Sequence, residues 1–187
     1  MCSDMSKAFI TGAKEVFPKA KITFDKFHVM QKANETVDDV RREETGKNAS
    51  MVNKRYMLLS NPRNLKPDQK QEVEQLLNDN RTMMIAYGLR ESLRTMYDLT
   101  KRSFAEEHMR IWFSAAESSR IPQVNKLAAT LRDHLDGILE WHESKLTNGI
   151  LEGLNSIIQT AKRMARGYRR PENMITMVYL KAAGIHL

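Results

Sequence analysis

With 187 residues, 41% of them hydrophobic and 28% charged, the chain has apolar material for the core of one domain or two small ones, which excludes a disordered or fibrous protein. Its 30 Lys+Arg outnumber 23 Asp+Glu for a net charge of +7, a balance that suits a polyanionic partner. The longest apolar run, Met83 to Tyr87, is far below the ~18 residues that span a bilayer, and no signal-peptide apolar region opens the chain. A membrane span is therefore excluded and a cytoplasmic location expected. Cys2 is the only cysteine, so neither an intramolecular disulfide nor a thiolate zinc site can form.

In chain order, Phe9, Ile10, Ala13, Val16 and Phe17 predict a helix over 4–17 that Pro18 closes. The alternation of Lys21-Ile22-Thr23-Phe24 predicts the one strand of the chain. A lone strand leaves its amides unpaired, so it calls for neighbours from an oligomer or from strands ahead of Met1. Helix followed by strand reads as half of an alternating α/β unit. From Lys26 onward the pattern is helical: Phe27, Val29, Met30, Ala33, Val37 and Val40 drive one helix up to Gly46, and a short one runs over 51–59. Pro67 opens another, and further amphipathic segments cover 82–99 and 103–116. Pro122 then starts a helix whose seam, Val124, Leu127, Ala128, Leu131, Leu135, Ile138 and Leu139, is that of a bundle.

The last two helices carry the most informative pattern. Asn148 suits an N-cap, Gly167 a C-terminal stop, and Pro171 the start of the final helix. On the first of the pair, Asn148, Glu152, Asn155, Gln159, Lys162 and Arg166 fall on one side, opposite Ile150, Leu151, Leu154, Ile157, Ile158, Ala161 and Met164. Solvated faces usually mix Glu with Lys. This stripe is rich in amides and then purely basic, and Lys162, Arg163, Arg166, Arg169 and Arg170 follow one another without an acid. Such a run, with Tyr168 inside it to stack or pack, suits a phosphate backbone. Three places could carry chemistry: Asp4, Asp25 with His28, and Glu152 between Gly149 and Gly153. Asp4 and Asp25 are each placed to cap a helix, whereas two glycines inside a helix cost roughly 1 kcal/mol each and imply a close approach to the backbone.

Together, the segments SDMSKAFITGAKEVFPKAKITFDKFHVMQKANE, NKRYMLLSNP and KLTNGILEGLNSIIQTAKRMARGYRRPENM resemble the catalytic part of bacterial insertion-sequence transposases of the ISL-three family. The Asn-Gly-x-x-Glu-Gly-x-Asn core with its basic Gly-Tyr-Arg turn is the specific part. The resemblance implies a DDE transposase: a ribonuclease-H-like α/β core interrupted by a helical insertion, acting on double-stranded DNA with Mg²⁺ or Mn²⁺. On this reading the fold is mainly α, with a truncated core (one short strand retained) over 1–44, the insertion over 45–143, and returning core helices over 144–187. Asp4 matches the second carboxylate of the catalytic triad and Glu152 the third, both as metal ligands. Asp25 and His28 match an Asp-x-x-His element near the active site. Asn148, Asn155, Lys162, Arg163, Arg166, Tyr168, Arg169 and Arg170 form the DNA-binding side.

Two carboxylates from different elements suit hard divalent cations that activate an attacking oxygen and stabilise the leaving one. The first aspartate of the triad belongs on a strand ahead of Asp4, so the chain reads as a carboxyl-terminal fragment with an incomplete site, nucleoid-associated and open to homodimer formation. The competing reading is a non-catalytic helical module that binds nucleic acid or protein, its acids serving only as caps and surface charges.

Overall fold

The alternating start of the chain folds as a β–α–β unit. Strand β1 (Cys2–Ser3) leads into helix α1 (Lys7–Val16), which returns the chain to β2 (Thr23–Phe24). The strands pair in parallel, Cys2 opposite Thr23 and Ser3 opposite Phe24, an arrangement that requires the helical crossover between them. The strand expected at 21–24 is thus found at its second half, and a neighbour for it comes from the residues ahead of α1. The computed structural model describes residues 2–3, 5–46, 49–146 and 149–182, without the side chains at 3, 7, 9, 49, 150–152, 154, 155, 181 and 182.

The protein is mainly α. After β2 come α2 (Lys26–Thr45), α3 (Arg55–Leu59), α4 (Pro67–Asn78), α5 (Arg81–Met96), α6 (Arg102–Ser119), α7 (Pro122–Asp133), α8 (Leu135–Leu139) and α9 (Trp141–Ser144). The apolar stripe of α2, Val29, Ala33, Val37 and Val40, is buried against α5 and α7, and α6 closes the layer behind them. Met83, Leu93, Met96, Met109, Trp112 and Leu131 fill the centre. Burying them is what makes a 20-residue helix such as α2 stable, since propensity alone leaves isolated helices marginal.

Two buried polar groups pin this bundle. Asp38 on α2 lies 2.8 Å from Arg41 Nε, 2.8 Å from Arg42 and 3.0 Å from Arg55 Nε. Burial pushes its carboxyl up, but hydrogen bonds and charges of the arginines win and hold it below the ordinary carboxylate range. Arg90 on α5 donates to Leu58 O at 2.5 Å and to Asn34 Oδ1 at 3.3 Å, tying α5 to α3 and α2.

The seam expected to run as one helix from Pro122 to Leu139 is two helices. At His134 the backbone (φ −118°, ψ 12°) leaves the helical region, and its Nδ1 lies 2.8 Å from Thr130 O, which it caps by donating. The short α8 then turns onto β2. A Cβ at Gly137 would lie 2.5 Å from two ring carbons of Phe24 and 3.1 Å from Ile22 O, so only glycine allows α8 this close to the strand.

Residues Met1–Leu146 form one compact unit and Thr147–Leu187 a second. The second is a packed pair of helices, α10 (Gly149–Met164) and α11 (Pro171–Ala182), the latter opened by Pro171 as expected.

Candidate functional site

The parallel register sets the carboxyl ends of β1 and β2 side by side, the end of a sheet at which α/β folds place their ligands. Asp25 follows β2 directly. Its carboxylate is buried and accepts a hydrogen bond from Phe27 N at 2.8 Å, which makes it the N-cap of α2. His28 lies on the first turn of α2, half-buried, with its ring edge-on to Phe27 at 5.7 Å. It lines a shallow cleft with Met5, Ser6, Gln31, Lys32 and Glu35. The segment after β1 and the Asp25–His28 segment therefore meet at one place. Asp4 and Asn148 lie outside the described residues. Glu152 and Asn155 belong to α10, and their side chains lie outside the description.

Residues that the sequence did not single out support the end of β2. Lys26 Nζ sits 5.2 Å from the centre of the Tyr97 ring and 5.8 Å from that of Trp141, and 4.0 Å from Asp98. Burial pushes the Tyr97 hydroxyl well above its usual range, and the negative charge of Asp25 adds to the effect. His142 stacks on Tyr97, and its Nδ1 donates to Leu99 O at 3.1 Å. Burial lowers its affinity for a proton; the bond to Leu99 opposes this, while the cations Lys145, Arg102 and Lys26 lower it further. The hydroxyls of Thr23 and Ser144 are hydrogen-bonded at 3.0 Å, and Cys2 Sγ donates to Leu146 O at 3.7 Å. The chain leaving the bundle at 144–146 thus runs beside both strands. The signal in the sequence was the aromatic-imidazole pair Trp141-His142 just past the apolar seam.

In the second unit, Lys162, Arg163, Arg166, Arg169 and Arg170 are all exposed, and none forms an ion pair with a described residue. Most arginines of the first unit behave otherwise: Arg41, Arg42, Arg55, Arg94, Arg102, Arg110 and Arg132 lie within 4.0 Å of carboxylates, while Arg81 and Arg120 are exposed and form no ion pair with a described residue. Helix α10 ends in a Schellman turn, with Gly167 N donating to Lys162 O at 3.1 Å and Arg166 N to Arg163 O at 3.2 Å. The stop expected at Gly167 (φ +100°) is shared with Arg166, which takes the left-handed conformation (φ +49°) at a cost of ~1–2 kcal/mol. Tyr168 packs: half-buried, it folds back so that its hydroxyl donates to Ala161 O at 3.3 Å.

Among the described residues no group of three or more His, Cys, Asp or Glu could hold a metal ion, and no helix is long and apolar enough to cross a membrane. Asp25, the described acid at the strand ends, gives one oxygen to the α2 cap.

Comparison with known proteins places the chain in a family. No solved structure matches the chain. The transposase for insertion sequence element IS1001 of Bordetella parapertussis is 32% identical over an alignment of 177 residues that covers 90% of this chain and 44% of that protein. The transposase for IS1557 of Mycobacterium tuberculosis is 28% identical over 195 residues, covering 89% of this chain and 44% of the relative. The chain thus spans less than half the length of the curated relatives it matches. The family profile described as Transposase, for the ISL-three type, matches residues 1–178, nearly the whole sequence, and the chain belongs to the ISL-three family of transposases.

Proposed function

We propose that these residues form part of the catalytic region of a DDE transposase, which cuts and joins DNA strands at insertion-sequence ends. The observation that carries the reading is the register of β1 and β2, which sets the segment after β1 beside Asp25 and His28 in a chain of this family. The β–α–β start is what a ribonuclease-H-like core requires. In this reading 1–44 and 144–187 are core segments and 45–143 is a helical insertion. The docking of α8 on Phe24 and the Thr23–Ser144 hydrogen bond support a chain that returns to the strands after the insertion.

Asp4 follows β1 in sequence as Asp25 follows β2, and Asp4 and Glu152 are the carboxylates that would hold Mg²⁺ or Mn²⁺. Bound there, the metal would polarise the scissile phosphodiester and the attacking oxygen. Asp25 and His28 shape the ground beside that position: Asp25 fixes the start of α2 and so sets where the His28 ring stands. The cations Lys162, Arg163, Arg166, Arg169 and Arg170, which pair with no carboxylate among the described residues, hold the double-stranded DNA by its phosphates together with Asn148 and Asn155 on the same stripe. Only two positions of the triad are matched within these residues, and the 187-residue chain by itself is not expected to cleave DNA.

The test compares the purified 187-residue chain with a protein in which strands bearing the first aspartate precede it, on DNA carrying matched terminal repeats. The longer protein is expected to nick in the presence of Mg²⁺ or Mn²⁺ and the 187-residue chain is not. In the longer protein, Glu152→Gln should cost a hundredfold or more, about 3 kcal/mol of transition-state stabilisation. Full activity in that variant would refute the assignment of Glu152. Nicking by the 187-residue chain that depends on Glu152 would refute the need for a third carboxylate.

A further inference from the structure

We propose that Tyr168 is a positioning residue of the DNA-binding turn and that it acts through its hydroxyl, as a strut, and not through its ring, as a platform for bases. This rests on the reading of the turn as a contact for double-stranded DNA and names what gives that contact its shape. The carboxyl end of a helix is the wrong pole for a phosphate, because its last carbonyls face outward with partial negative charge. Here three of those carbonyls are occupied. Ala161 O takes Ala165 N at 3.1 Å and the Tyr168 hydroxyl at 3.3 Å, Lys162 O takes Gly167 N, and Arg163 O takes Arg166 N. Basic side chains near helix ends commonly serve such carbonyls themselves. In this turn the backbone and one phenol do so, leaving the guanidinium groups of Arg166, Arg169 and Arg170 facing solvent.

The hydroxyl does one thing more. Arg166 stands in a left-handed conformation that disfavours any residue with a Cβ, and the Tyr168–Ala161 bond closes the segment that contains it. One hydrogen bond and one left-handed residue are of similar size and opposite sign. Removing the hydroxyl therefore releases a turn that is held near balance, and the DNA then has to order it on binding. The half-buried ring is tethered by this bond, so that the hydroxyl and not the ring carries the contact the structure shows.

The experiment follows binding of the 187-residue chain to a fluorescein-labelled duplex of arbitrary sequence by anisotropy, over a series of salt concentrations. Tyr168→Phe keeps the ring and deletes only the hydroxyl. Its affinity should fall about three- to tenfold with the salt slope unchanged, because the same phosphates are met once the turn is formed. A stacking ring predicts that Phe binds as Tyr does, and that result overturns the proposal. Arg166→Gly relieves the backbone and removes one cation, so the slope should fall by about 0.9. In that background Tyr168→Phe should change affinity by less than about twofold, and persistence of the full loss overturns the coupling of hydroxyl to strain. Arg163→Ala, Arg166→Ala and Arg169→Ala together report on the underlying reading. If the triple variant keeps the wild-type slope, the turn is not the DNA contact, whereas a weakened triple variant beside an unaffected Tyr168→Phe removes the strut alone.

Discussion

Gly137→Ala tests how the bundle is seated on the strands. The added methyl would stand 2.5 Å from Cδ2 and Cε2 of Phe24, about 1 Å inside the ~3.5 Å at which carbon atoms rest against each other. Phe24 has no room to yield: it is 5% exposed, and His134 packs edge-on against it at 5.1 Å. Inserting a methyl into so tight a contact costs about 1–3 kcal/mol. Alanine regains up to ~1 kcal/mol of helix propensity in α8, which leaves a net loss of about 1–2 kcal/mol. Both tryptophans of the chain, Trp112 and Trp141, lie in the first unit, so their fluorescence during urea unfolding reports on that unit. The midpoint should move down by roughly 0.5–1 M at constant slope, taking a urea slope of ~2 kcal/mol/M. Phe24→Leu should be less harmful in the Gly137→Ala background than in the wild type, a coupling expected of residues in contact. An unchanged or raised midpoint in Gly137→Ala would mean that α8 does not rest on Phe24.

Two further outcomes follow from the same region. Asp25→Ala should cost about 1 kcal/mol of stability through loss of the α2 cap, while Asp25→Asn, which can still accept from Phe27 N, should keep most of it; equal losses in urea midpoint would exclude capping as the role of the carboxylate. His142 binds its proton less readily when folded than when unfolded, so the unfolded chain holds more protons around pH 6 and stability must fall as pH drops below about 6.5. His142→Gln should flatten the fall in melting temperature between pH 7 and pH 5, and an equally steep fall in the variant would remove His142 as its source.

Those features of the fold that depend on local chemistry were legible in the sequence. Pro67, Pro122 and Pro171 each open a helix, because the missing amide and fixed φ act wherever proline stands. Asp25 was readable as a cap for the same reason. The break at His134 was hidden because the apolar spacing continues through it from Leu131 to Leu135. The pairing of Cys2–Ser3 with β2 was hidden because two residues carry no periodicity, and only the crossover through α1 brings them together. At the basic turn, charge and its lack of acids were visible. Which residue would take the left-handed conformation was not, since the sequence offers Gly167 and the hydrogen bonds also recruit Arg166. Lys26, Tyr97 and Trp141 come together only through tertiary packing, a distance that no spacing rule spans.

The contrast between paired and unpaired arginines bears on how the protein behaves in the hand. On the proposed reading, cellular nucleic acid is expected to cling to the turn around Arg166 during extraction, since no carboxylate of the described residues pairs with its guanidinium groups. A wash at 1 M salt, with a screening length of ~3 Å, strips contacts of this kind. The same wash leaves the fold alone, because the Asp38 carboxylate and the Arg90 guanidinium are themselves buried. Absorbance ratios taken before and after such a step therefore distinguish the bare protein from one still carrying fragments of the host chromosome.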